Sequence, residues 1–79
     1  MTIEARISAA CADPSPGHAL LALARHLHAE GVPQAALEAE YEAARARHAD
    51  DVDETILDAI LDAMDVIVGY CSPSRQLFP

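Results

Sequence analysis

One stretch constrains this chain more than any other. Asp50 to Cys71, D-D-V-D-E-T-I-L-D-A-I-L-D-A-M-D-V-I-V-G-Y-C, is both its most apolar and its most acidic segment. Wound at 100° per residue, Ile56, Leu57, Ile60, Leu61, Met64, Ile67 and Val68 fall in one arc about 140° wide, broader than the seam of a two-stranded coiled coil. Glu54, Asp58, Asp62 and Asp65 gather on the opposite side. Helical pitch therefore separates a face that seeks a core from a face that seeks water or a cation. No alternating run, and no hairpin dipeptide between β-branched stretches, occurs anywhere in the chain. The fold class read from the sequence is all-α.

The remaining elements follow from caps and breakers. Thr2 is placed to cap a first helix, and Ile3, Ile7 and Ala10 form its apolar stripe with Cys11 at the edge. Asp13-Pro14-Ser15-Pro16-Gly17 stops that helix, and Ser15-Pro16 reads as the N-cap and first position of the next. Leu20, Leu23, Ala24 and Leu27 line the second helix, and Gly31 closes it. Val32-Pro33 opens a third helix with a thin seam of Leu37, Tyr41 and Ala44, His48 in line at its end. Asp51-Val52-Asp53-Glu54 has the form of a capping box, which predicts that a fourth helix starts near Val52 and ends at Gly69. The expected fold is a compact bundle of four helices over about 3–12, 16–30, 33–48 and 52–68, the second and third forming an antiparallel hairpin. Residues 1–79 read as one small helical domain, with 72–79 a short tail that Leu77 and Phe78 would anchor.

Size and charge then limit what the domain can do. A chain of 79 residues buries only roughly 60% of its unfolded surface, so its stability margin is thin and oligomerisation is one way to widen it. Residues 1–49 carry six acids and four arginines, a balance of −2, whereas residues 50–79 carry seven acids and one arginine, a balance of −6. Phosphate contacts need cations, so nucleic acid and anionic membrane are excluded as expected partners. A basic protein partner is permitted, and the same charge serves solubility. Two cysteines make no disulfide framework, and neither a secretory signal nor a membrane-spanning run is present, so the expected compartment is the cytoplasm.

Chemistry-bearing groups are sparse. His26 and His28, two apart on a helix, do not share a face, and His26 with Glu30 supplies only two ligands. Cys71 projects at the angle of the core face, which predicts burial and low reactivity. No catalytic, cofactor-binding or metal-ligating residues are expected. The acidic ridge repeats at i+4, a spacing that costs an isolated helix a few tenths of a kcal/mol per pair, so it is not there for helix stability. Solvated charge is its ordinary use, and docking of an arginine- or lysine-rich partner its functional one. Val66 and Tyr70, just outside the apolar arc, add an apolar margin for self-association. The candidate interaction residues are therefore Glu54, Asp58, Asp62, Asp65, Val66 and Tyr70.

Residues 19–48 resemble a single tetratricopeptide-repeat hairpin. Leu20, Leu23, Ala24 and Leu27 fall on the large, large, small and large positions of that family's first helix, and Ala36 and Ala43 on small positions of its second. Glu40 stands where the family has an aromatic, and His48 where it has a proline. The resemblance covers about thirty residues, whereas a self-supporting array has at least about three such repeats. It implies an αα-hairpin and a role in protein interaction. The expected function is thus a non-enzymatic module that binds another protein or itself as a homodimer. The alternatives are an acidic inhibitor or immunity-type protein that neutralises a basic partner, and a small enzyme or metal protein.

Overall fold

A computed structural model describes residues 2–69, and they form four helices: α1 (Ile3–Cys11), α2 (Pro16–Ala29), α3 (Gln34–Arg47) and α4 (Thr55–Val68). No strand occurs among the described residues. Most boundaries are set by the expected local chemistry. Thr2 Oγ1 accepts the Ala5 N–H at 3.1 Å, satisfying one of α1's free donors. Asp13 Oδ1 accepts the Ser15 N–H at 2.9 Å and fixes the turn into Pro16. At the end of α2, Gly31 takes a left-handed φ of 96°. The Val32 N–H then reaches back to the Leu27 carbonyl and the Gly31 N–H to that of His28, each at 3.0 Å. These two bonds close the helix as a Schellman motif, and Val32 is half-buried beyond it. Gly69, with φ 87°, ends α4 in the same left-handed conformation.

The start of α4 departs from expectation. The helix begins at Thr55, not near Val52, and Asp51 caps nothing. The Asp51 carboxylate is already held by His48, with Nδ1 2.6 Å from Oδ2, and the Asp51 N–H is bonded to the His48 carbonyl. Asp53 takes over the entry instead: its Oδ1 accepts both the Thr55 N–H at 2.9 Å and the Thr55 hydroxyl at 2.6 Å. Val52 is left fully exposed in the connecting loop.

The core is one cluster of Ile7, Leu20, Ala24, Leu27, Leu37, Tyr41, Ala44, Ala59, Ile60, Ala63 and Ile67. Its single buried hydroxyl, on Tyr41, donates to the Leu20 carbonyl at 2.6 Å and so ties α3 to α2. α4 packs on α2 and α3, α1 packs on the same two helices, and α1 and α4 scarcely touch. α2 and α3 meet each other least of the paired helices, so α1 and α4 hold the hairpin together. Gln34 Nε2 donates to the Ile67 carbonyl at 2.9 Å, which sets the start of α3 beside the end of α4. It also gives a partner to one of the carbonyls that a helix C-terminus leaves free.

Candidate functional site

How α4 is rotated about its axis decides which of its faces reaches solvent. The buried residues of α4 are Ala59, Ile60, Ala63, Val66 and Ile67. On a 100° wheel their centre lies roughly 90° away from the centre of the arc expected from hydrophobicity. Size explains the rotation. A Cβ built on Gly17, at the start of α2, would sit 4.0 Å from the Ala59 Cβ, so α2 comes within contact of α4 at Ala59. Leucines on that face would hold the two helices apart. Ile60 and Ile67 are completely buried, and the Ile67 carbonyl accepts from Gln34 of α3.

This rotation moves Leu57, Leu61, Met64 and Val68, expected in the core, to its margin and beyond. Met64 and Val68 are half-buried against the cluster, Leu57 is half-buried but not packed on it, and Leu61 is 39% exposed. The four are spaced 4-3-4, the a/d repeat of a coiled-coil seam, and lie within about 60° on the wheel. That spacing was the available signal for a second apolar face. Periodicity alone masks it, because these residues also extend the broad arc without a break.

The sequence-derived candidates separate accordingly. Glu54, Asp58, Asp62 and Asp65 are all exposed and form a continuous bank beside the leucine seam. Val66 is corrected: it is 1% exposed, on the small-residue side that faces inward, and offers no surface to a partner. Tyr70 lies outside the described residues, as do Cys71 and the expected Leu77–Phe78 anchor.

Among the described residues, the arginine ion pairs all lie away from α4. Arg6 holds Glu30 through two bonds of 3.0 and 2.8 Å, tying α1 to the end of α2. Arg47 lies 3.8 Å from Glu4, and Arg45 pairs with Glu42 on α3. The Arg6 guanidinium holds the Glu30 carboxyl below its ordinary range, and Arg45 does the same for Glu42. Among the described residues no ion pair reaches the four carboxylates of α4. α4 also has no basic residue in its last turn, where Asp65 meets the negative end of the helix dipole.

Other reactive groups stay apart. Glu30, being bound to Arg6, is not free to join His26. His28 is exposed. Cys11 is half-buried between Tyr41, Arg47 and Asp51, and burial pushes its thiol pKa up. Burial likewise pushes the Tyr41 phenol far above its ordinary range. Among the described residues no three of histidine, cysteine, aspartate and glutamate are grouped to hold a metal ion. No described helix is long and apolar enough to cross a membrane. Comparison with protein-family models, curated proteins and solved structures finds no match, the tetratricopeptide model included.

Proposed function

We propose that this chain is a non-enzymatic protein-interaction domain whose contact surface is the outer face of α4. The observation that carries the reading is the seam of Leu57, Leu61, Met64 and Val68, with Leu61 exposed and the other three half-buried, on a helix that already buries a full face elsewhere. A helix that needs only one apolar face to fold, yet carries two, has a surplus that a partner helix would cover. In a small domain such a contact also adds to folding stability, because whatever binds the native state alone stabilises it. A cytosolic setting suits this reading, since Cys11 would remain a thiol there.

The test is to compare the full chain with its Leu57→Asp/Leu61→Asp variant. Any protein retained by the native chain in affinity capture, and any self-association it shows in sedimentation, should be lost in the variant while its circular dichroism is preserved. An identical set of captured proteins and identical sedimentation behaviour from a folded variant would refute the assignment of the surface.

A further inference from the structure

We infer that the occupant of this seam is a basic amphipathic helix of another protein, with arginine or lysine flanking its apolar ridge, and not a second copy of this chain. The inference rests on the interaction reading above and adds the partner's chemistry. With Leu57 and Met64 at d and Leu61 and Val68 at a, the flanking e positions are Asp58 and Asp65, and Asp62 lies one step further out. The opposite flank, g, consists of Ile60 and Ile67, both fully buried in the domain's own core. A partner helix therefore meets carboxylates on one side and the body of α3 on the other.

The α3 side adds one more carboxylate, Glu38, on the face that also carries Arg45, itself held by Glu42. Gln34 is bonded to the Ile67 carbonyl, and Glu38 follows it by four residues on the same face of α3 and is exposed. Of the four described arginines, Arg6, Arg45 and Arg47 hold acids elsewhere in the fold, and Arg25, exposed on α2, makes no ion pair with α4. The surface so formed is an apolar line between uncompensated negative charges. Flanking charges of this kind select partner and orientation in helix pairing.

A second copy fits poorly in either orientation. Antiparallel pairing sets e against e, which places Asp58 and Asp65 opposite the same carboxylates of the other copy. Parallel pairing sets e against g, and the g flank is covered by α3. Like charges brought face to face reject a partner even where the apolar seam matches.

The experiment uses the full chain and two synthetic helices of about three heptads, leucine at a and d, one with arginine and the other with glutamate at e and g. Binding is followed by calorimetry at low and high salt. The arginine helix should bind and the glutamate helix should not. The double variant Asp58→Asn/Asp65→Asn should weaken the arginine helix roughly tenfold at low salt, with the gap closing as salt screens the pairs. Leu61→Gln should weaken it at every salt concentration. Equal binding of the two helices would overturn the inference, and so would binding of neither at about 100 µM. Self-association of the native chain that Leu61→Gln abolishes would overturn the basic-helix assignment yet leave the seam as a contact surface. If Leu61→Gln changed neither peptide binding nor self-association, both the assignment and the surface would fall.

Discussion

The rotation of α4 predicts a reversal of the usual order of mutational damage. Hydrophobicity alone ranks Leu61 as core and Ala63 as incidental. The structure places Ile60 at 0% and Ala63 at 2% exposure, against 39% for Leu61. Ile60→Ala removes buried carbons and leaves a cavity, which costs about 3 kcal/mol. Ala63→Leu forces three extra carbons into a core site that is already closed to solvent, an overpacking cost of about 2 kcal/mol. Leu61→Gln gives up only partial burial and replaces one good helix former by another, for less than about 1 kcal/mol. For a chain of 79 residues, each kcal/mol moves the Tm by about 6 °C. Thermal unfolding followed by circular dichroism should then show losses of roughly 18, 12 and at most 6 °C, in that order. The decisive comparison is the last pair. If Leu61→Gln proved as damaging as Ile60→Ala while Ala63→Leu was neutral, α4 would be seated on its leucines, and the exposed seam would not exist.

Four further outcomes follow from individual contacts. Tyr41→Phe deletes the buried bond to the Leu20 carbonyl and should lower stability by about 1 kcal/mol in urea titration; an unchanged midpoint would mean that the bond contributes nothing. Gly31→Ala meets no atom within 4 Å but must hold a left-handed φ of 96°, so a loss of about 1 kcal/mol should appear as backbone strain without any packing defect. Hydrogen bonds from Arg6 to Glu30, and from the Thr55 hydroxyl and N–H to Asp53, hold both carboxyl pKa values below their unfolded values. Their stabilisation is therefore full above the unfolded values and lost as pH falls through the folded ones, so Tm should decline below about pH 4, and less steeply in Asp53→Asn and Arg6→Gln. Burial raises the Cys11 thiol pKa, so its reaction with a disulfide reagent at neutral pH should be slower than that of a free cysteine, and should speed up in mild urea.

Local chemistry was legible along most of the chain because it acts over three or four residues. The Thr2 cap, the stop at Asp13–Gly17, the left-handed glycines and the Leu37–Tyr41–Ala44 seam all stand where the sequence alone puts them. The entry to α4 did not, although Asp51, Asp53 and Glu54 have the composition of a cap. His48, three residues before it, takes Asp51, and the linear pattern does not say which of three neighbouring acids that turn will leave free.

The acidic bank Glu54, Asp58, Asp62 and Asp65 needed only helical pitch, and its exposure could be read directly. Its lack of compensation could not. That depends on Arg6, Arg45 and Arg47 being engaged by acids elsewhere in the fold.

By itself, the sequence determined that this chain is helical, where its helices break, and that its last helix divides apolar from acidic residues. Only the tertiary structure decided which apolar residues lie inside. Periodicity measures how much a face gains by leaving water, and Leu57, Leu61, Met64 and Val68 score as well on that measure as Ile60 and Ile67. Packing also depends on how closely two helices can approach, and Ala59 opposite Gly17 brings α2 within contact of α4. The helix buries its small side and leaves a line of larger residues beside the carboxylates, and on that line the proposed function rests.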